Sequence, residues 1–447
     1  DGMSFNAIHA ITDGLTAVNE KGKTAPAIAK SWDVSDDGKT YTFHLRDAKW
    51  TNGDKVTAND FVYSWRKIIK DAGNYAYMLG SGGASVKNAD ALMELGANAT
   101  DEQMATLGVT AKDDQTLVVE LENKVPYFTD LMAFPCYFPQ NEKFVEKCGK
   151  NYGTKPEYTL SNGAYTMTKW IKGNKATFTK NDKYYDAKSV KTKNLEMYLV
   201  QDPKTAAQNF DNGKVDYATI NSTLVDKYKG KDTFTTFNEG FLFYLSLNFN
   251  NKTIADKNVR EALSYAINRK DLCENVLKDG SKAATGFVPS QLSKSPAGKD
   301  FRDDADKYVS YDQKKAQEYL DAAKKELGTD TITIDLLYGT DESPMDTMAE
   351  YLQGSFSKLK GLKVNMVATV KKDRVERQKS GDFDISCARW GPDFPDPITY
   401  LNLVSTGNSN NYGKYNNVKY DQLIAASTTE RDAKKRWQML YQAEDIC

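Results

Sequence analysis

The chain lacks most of the features that mark specialised functions. Nowhere does an apolar run approach the roughly 18 residues that a membrane-spanning helix needs, so no segment is predicted to cross a bilayer. Neither sign of charge is in excess: 60 Lys+Arg stand against 61 Asp+Glu, a formal net charge of -1. Binding to phosphate backbones draws on a local basic surplus, so nucleic acid is not an expected partner. Histidine is scarce, with His9 and His44 alone. A two-histidine metal site would need both, and His44 falls on the polar face of its strand, where a solvated side chain is expected. The five cysteines, Cys136, Cys148, Cys273, Cys387 and Cys447, show no CxxC spacing. That argues against a structural zinc site, a disulfide scaffold and a thiol enzyme. Cys136 and Cys148 stand close enough in sequence to pair, whereas buried free thiols are expected of the rest.

Catalytic signatures are missing as well. Gly22-Lys23-Thr24 mimics the end of a phosphate-binding loop, but Ala17 stands where the leading glycine belongs, and the segment reads as a turn. There is no GxSxG nucleophile elbow and no GxGxxG following a strand. Asp393 and Asp396 could be imagined as a glycosidase pair, yet nothing places both acids in a cleft. No enzymatic activity, no cofactor and no metal are expected. The ends also lack something. Asp1-Gly2-Met3 carries no basic stretch leading into an apolar core, so no signal peptide is read there. A helical pattern from Arg431 reaches Cys447 without a Gly or Pro stop. The expectation is a fragment, in which a missing targeting segment says little about location.

What is present is an ordinary globular composition, 40% hydrophobic and 27% charged. Its 447 residues suggest about three domains at roughly 150 residues each. Tyrosine is abundant at 26, and tyrosine gives rigid contact area with a polar tip, suited to half-buried strands or to a ligand cleft. Tyr41, Phe43 and Leu45 alternate, predicting a strand over 40–45 that follows the turn Ser35-Asp36-Asp37-Gly38. Thr57-Ala58-Asn59-Asp60 resembles a capping box, followed at helical spacing by Phe61, Trp65 and Ile68/Ile69. The stretch 73–106, with Gly80-Ser81-Gly82-Gly83, reads as loops, and 117–121 as strand.

From Asn162 the texture shifts to strands of mixed polarity over 165–170, 176–180 and 195–200, with a helix over 204–212 and an aromatic strand over 241–249. The last part predicts a helix over 256–278 stopped by Gly280 and a second capped by Asp312 and ended by Gly328. Strand 331–338, helix 344–359, strand 362–370, helix 371–379 and strand 383–389 follow. That alternation predicts a parallel sheet with covering helices, hence an α/β class. Ligands of such sheets bind beyond the carboxyl ends of the strands. The last strand ends in Trp390-Gly391-Pro392-Asp393-Phe394-Pro395-Asp396-Pro397, a loop rich in Pro, Gly and aromatics. It is the candidate site.

Several segments together resemble the oligopeptide-binding proteins, the large three-domain branch of the bacterial extracellular solute-binding proteins of family 5. They are Ala25-Pro26-Ala27-Ile28-Ala29-Lys30-Ser31-Trp32, then Tyr41 to Trp50, Asn52-Gly53-Asp54 and Val56 to Trp65. Asn162-Gly163-Ala164-Tyr165, Asn258 to Leu263 and Ile267-Asn268-Arg269 match as well, and the loop from Trp390 through Thr399-Tyr400-Leu401 has the family's W-x-x-D-[YF]-x-D-P form. The likeness runs the length of the chain and implies that a signal segment, the first strand and the final strands are missing.

The implied fold is α/β, a two-lobed periplasmic-binding-protein type II fold with an additional inserted α+β domain. The implied borders are 1-12 and 161-237 for lobe I, 13-160 for the extra domain and 238-447 for lobe II. The implied function is the extracytoplasmic substrate-binding component of an ABC transporter, which captures short peptides between two lobes and delivers them to a membrane permease. A non-peptide ligand (metal chelate, haem or oligosaccharide) or a peptide signal is the alternative. The resemblance further implies a monomer, periplasmic or held at the cytoplasmic membrane as a cell-surface lipoprotein. It assigns Asp393 to the ligand's α-amino group and lets the residues just before it, Arg389, Trp390 and Gly391, offer backbone groups. Pro392 has no N–H to offer there. Phe394 joins the set, and Tyr244 and Tyr75 match contact positions. Read from the residues alone, Asp393 could instead form an Asx turn or a helix cap, Trp390 could be a core plug or a cleft wall, and each tyrosine could be packing. Asp396 is expected to be structural.

Overall fold

A computed structural model describes residues 4–430 and 432–447. The chain divides into two compact units, Asp1–Val200 and Gln201–Cys447.

The first unit begins with helix α1 (Phe5–Ile11) and a short ladder of β1 (Thr16–Val18) and β2 (Thr24–Pro26). Its main sheet joins β3 (Ala29–Val34), β4 (Thr40–Leu45), β5 (Val109–Asp113) and β6 (Thr116–Glu120), antiparallel throughout in the order β3-β4-β6-β5. The alternation on β4 does what its period of two requires: Tyr41, Phe43 and Leu45 are buried, and His44 on the other face pairs with Asp33 at 2.7 Å near the surface. Helix α2 (Ala58–Lys70) turns Phe61, Trp65 and Ile69 into the core. The capping box is real: the Asp60 carboxylate accepts from the Thr57 N–H at 2.8 Å and from the Trp50 indole N–H at 3.1 Å. Burial pushes the Asp60 carboxyl up to about 6.

The stretch 73–106 is more ordered than expected. It folds as a 3-10 turn over Ala76–Met78 and helices α3 (Ala89–Leu95) and α4 (Asp101–Met104). A second capping box, Thr100 with Gln103, starts α4. Helices this short carry too few apolar residues to show a period, which is why a reading by pattern missed them. The same holds for α5 (Phe128–Leu131) and α6 (Glu142–Cys148). Helix α6 also bears on the cysteines. No disulfide joins Cys136 and Cys148, so the pairing entertained for them is corrected. Cys136 sits in the 3-10 turn Pro135–Tyr137, whereas Cys148 is buried in the last turn of α6 beside Tyr152.

The unit ends in the antiparallel sheet β7 (Tyr165–Ile171), β8 (Lys175–Lys180) and β9 (Asn194–Tyr198). The chain leaves this region after α1 and comes back beside it. Asn162 and Gly163 both donate their N–H to the Ile11 carbonyl, and the Asp13 N–H donates to the Asn162 side chain at 2.8 Å. A Cβ on Gly163 would lie 2.7 Å from Ile11, so only glycine permits this crossing.

The second unit opens with α7 (Pro203–Asp211) and α8 (Ser222–Tyr228) and then β10 (Leu242–Leu247). The helix expected over 256–278 is broken. After α9 (Lys252–Ala255), α10 (Lys257–Ala266) stops at Ile267, which is extended, and Asn268 accepts the Asp271 N–H to start α11 (Arg269–Asp271). A π-turn over Leu272–Leu277 completes the segment. The Asn side chain competes for backbone donors, a local preference that apolar spacing hides. After α12 (Phe301–Asp304), α13 (Gln313–Leu327) is capped by Asp312 and ends at Gly328 with φ 65, as expected.

The alternation that follows builds one sheet. β11 (Ile332–Gly339), α14 (Met345–Phe356), β12 (Leu362–Thr369), α15 (Lys371–Ser380) and β13 (Ile385–Trp390) place β11 parallel to both β12 and β13. β10 adds an antiparallel edge, giving the order β10-β13-β11-β12. Ile332, Ile334, Leu336 and Ile385 bury one face against Val259 and Leu263 of α10, Ala316 and Leu320 of α13, and Leu352 and Phe356 of α14. Beyond β13 come α16 (Ile398–Leu401), α17 (Val418–Thr429), which pattern alone did not reveal, and α18 (Ala433–Ile446). The expected start of this last helix at Arg431 lies outside the described residues.

Candidate functional site

The loop that leaves the carboxyl end of β13 is locked at its base. Asp396 is buried and takes both ends of the Arg436 guanidinium from α18 in a fork, Nη1 and Nη2 each at 2.8 Å. Its Oδ1 also accepts the Ile398 N–H at 3.1 Å, which starts α16, and Arg436 spends its Nε on the Ser427 carbonyl at 3.0 Å. Asp396 is therefore structural, as the sequence suggested, although its partner lies 40 residues away and no local pattern names it.

The Thr399 hydroxyl organises the outer part of the loop. It accepts the Asp393 N–H at 3.1 Å and faces the Trp390 indole N–H at 3.4 Å. Phe394 is buried, and Trp390, Gly391 and Asp393 are partly buried. The Tyr400 hydroxyl donates to the Gly240 carbonyl just before β10. Burial raises the Tyr400 hydroxyl well above its usual range, and the charge of Asp393 adds to that. Gly391 has a steric reason, since a Cβ there would come within 2.7 Å of the Phe241 ring.

Register fixes what lies beside the loop. On β10, Leu242 stands opposite Trp390, Phe243 opposite Arg389 and Tyr244 opposite Ala388. Tyr244 is half-buried, meets the Phe287 ring edge-on at 5.5 Å, and burial pushes its hydroxyl up to about 12. The structure thus gathers Arg389, Trp390, Gly391, Asp393 and Phe394 on one strand end and its loop, with Tyr244 on the neighbouring strand. Tyr75 belongs to the first unit, where its ring meets Phe5 at 5.6 Å and Phe134 at 5.4 Å.

The sequence reading missed a charged cluster at the same end of the sheet. Buried Glu342, just after β11, accepts from Arg374 of α15 through Nε at 2.9 Å and Nη2 at 2.8 Å. The remaining Arg374 nitrogen, Nη1, donates to Gln378 at 2.8 Å. Lys371 and Arg389 approach the same carboxylate at 3.7 and 3.8 Å. The signal was present but faint: α15 has a low apolar content, so its inward face is polar and no period marks it. Among the described residues no group of three or more His, Cys, Asp or Glu gathers to hold a metal ion, and no helix is long and apolar enough to cross a membrane.

A sheet with parallel strands whose carboxyl ends carry a rigid, charged and aromatic loop defines a solute-binding scaffold of α/β type. Residues 23–412 match the bacterial extracellular solute-binding proteins, family 5, and the chain belongs to that family. It is 36% identical over 97% of its length to a dipeptide-binding protein of Lactococcus lactis subsp. cremoris, covering 80% of that relative. It is 33% identical over its whole length to the oligopeptide-binding protein OppA of Bacillus subtilis, covering 82% of it. Among solved structures, the substrate-binding domain of an oligopeptide ABC transporter from Bacillus anthracis superposes with a TM-score of 0.89 at 36% identity, over 100% of this chain and 86% of the other. OppA of Listeria monocytogenes bound to peptide gives 0.87 at 33%, over 100% and 86%. The expected fold, the multidomain α/β periplasmic-binding-protein type II class, is that of these relatives.

Proposed function

We propose that this protein is the extracytoplasmic binding component of an ABC importer, capturing short peptides and passing them to a membrane permease. It acts by binding and not by catalysis, as a monomer, either periplasmic or held at the cytoplasmic membrane by a lipid anchor. The observation that carries the reading is Asp393, fixed by Thr399 at the carboxyl end of β13 in a loop of the family's form. Its role is to receive the ligand's α-amino group, while Arg389, Trp390 and Gly391 offer backbone groups and Phe394 and Tyr244 contribute surface. A free amino group and an extended main chain are common to peptides of any sequence, which suits a receptor for many of them. The relatives named for dipeptides and oligopeptides support this reading over a metal chelate, haem or an oligosaccharide. The borders 1-12 with 161-237, 13-160, and 238-447 stand as the domain proposal, supported by the close approach of residues 11–13 to 162–163.

Calorimetry with trialanine and N-acetyl-trialanine on the wild type and Asp393→Asn tests the assignment. Leaving one member of a desolvated ion pair unmatched costs roughly 3–5 kcal/mol, so either change should weaken binding about 100-fold or more. The two losses should not add, because both break one contact. Equal binding in all four combinations would make Asp393 a plain loop residue. Native mass spectrometry of the purified protein identifies any ligand it retains.

A further inference from the structure

Arg389 is an arginine whose position is fixed and whose hydrogen bonds are unspent. Its guanidinium lies over the Phe241 ring at 4.8 Å and reaches Phe243 at 6.0 Å. Nε stands 3.8 Å from Glu342 Oε1, too far for a hydrogen bond, and none of its side-chain N–H groups donates one among the described residues. The side chain keeps 25% of its surface open. The neighbouring Arg374 differs, since its nitrogens are committed to Glu342 and Gln378. Lys371, Arg374 and Arg389 together face one carboxylate, Glu342, so the cluster has an excess of positive charge. A planar fork held on an aromatic face, in a field of like charge, is built to take a carboxylate in two parallel hydrogen bonds.

We propose that the Arg389 side chain, beyond any backbone role, is an anion-recognising residue that takes a carboxylate of the bound peptide. This rests on the peptide reading above. Arg389 and Asp393 are four residues apart, so their backbones are separated by at most roughly 14 Å. An extended peptide of about four residues spans a similar distance. The carboxylate is therefore either the terminal one of a short peptide or an acidic side chain near its start, and the protein favours ligands carrying one.

The test is calorimetry on the wild type, Arg389→Gln and Arg389→Lys with trialanine, trialanine amide, Ala-Glu-Ala amide and Ala-Gln-Ala amide. A charge-assisted fork supports an acid-to-amide preference of roughly 10- to 100-fold. If the terminal carboxylate is the partner, that preference separates the first two peptides. If a side chain is, it separates the last two. In either case Arg389→Gln abolishes it, and Arg389→Lys, which keeps the charge without the fork, retains part of it. Should Arg389→Gln fail to fold, Arg389→Lys decides, and an undiminished preference there counts against the fork. Ratios near one in the wild type, or ratios untouched by Arg389→Gln, overturn the proposal while the Asp393 result stands. Failure of the wild type to bind any of the four refutes the peptide reading itself.

Discussion

Removing the Asp396 charge should unfold the second unit well before it changes what the loop can recognise. In the native structure this carboxylate is 6% exposed and Arg436 is 9% exposed, and their two contacts of 2.8 Å exclude water from both charges. Asp396→Asn preserves the shape but deprives the buried guanidinium of the carboxylate that matches its charge. Breaking one side of such a pair costs roughly 3–5 kcal/mol, because the surviving charge stays buried without its counter-charge. For a unit of this size each kcal/mol lowers Tm by about 2–4 °C, so the loss should be roughly 6–20 °C. Arg436→Gln should fall by a similar amount. The double variant should lose clearly less than the sum, since it leaves no isolated charge. Differential scanning calorimetry on all four proteins measures this. A Tm for Asp396→Asn within about 2 °C of wild type would refute the reasoning. So would strictly additive losses. Asp393→Asn, by contrast, should lose peptide with little change in Tm.

Asp60 should make the first unit more stable in mild acid. Its carboxyl is raised from 3.8 to about 6 by burial, so the folded state holds a proton that the unfolded chain has released. The stabilisation is present in full below about 4 and is lost as pH rises through about 6, amounting to roughly 3 kcal/mol. Asp60→Asn should flatten the dependence of Tm on pH between 4 and 6, and an unchanged slope would contradict the burial argument. Titration with Ellman's reagent in denaturant, without reductant, should count five thiols, since no disulfide joins any of them; three would restore the bridge between Cys136 and Cys148.

Much of the fold was legible because local physics and tertiary structure agree in these segments. The alternation at Tyr41, Phe43 and Leu45, the Thr57–Asp60 box and the Asp312 and Gly328 ends of α13 are each set by a few neighbouring residues. Where competing local preferences were hidden, the reading slipped. Asn268 broke a helix that apolar spacing carried through, and the short helices between Ala89 and Met104 were too brief to show a period. The β13 loop was legible as a site because its position after a parallel strand and its composition both point there.

What the sequence determined by itself was the succession of strands and helices, the absence of metal and nucleotide motifs, and the loop at Trp390–Pro397. Those are properties of period, capping and composition, which neighbours along the chain decide. Only the tertiary structure decided that β10 joins β13 antiparallel and sets Tyr244 beside Ala388. It also decided that Asp396 belongs to Arg436, and that Arg389 stands over Phe241 beside Glu342 with its N–H groups unspent. These contacts join residues tens to more than a hundred positions apart. A buried charge must be matched wherever the fold places it, and sequence spacing carries no record of that place.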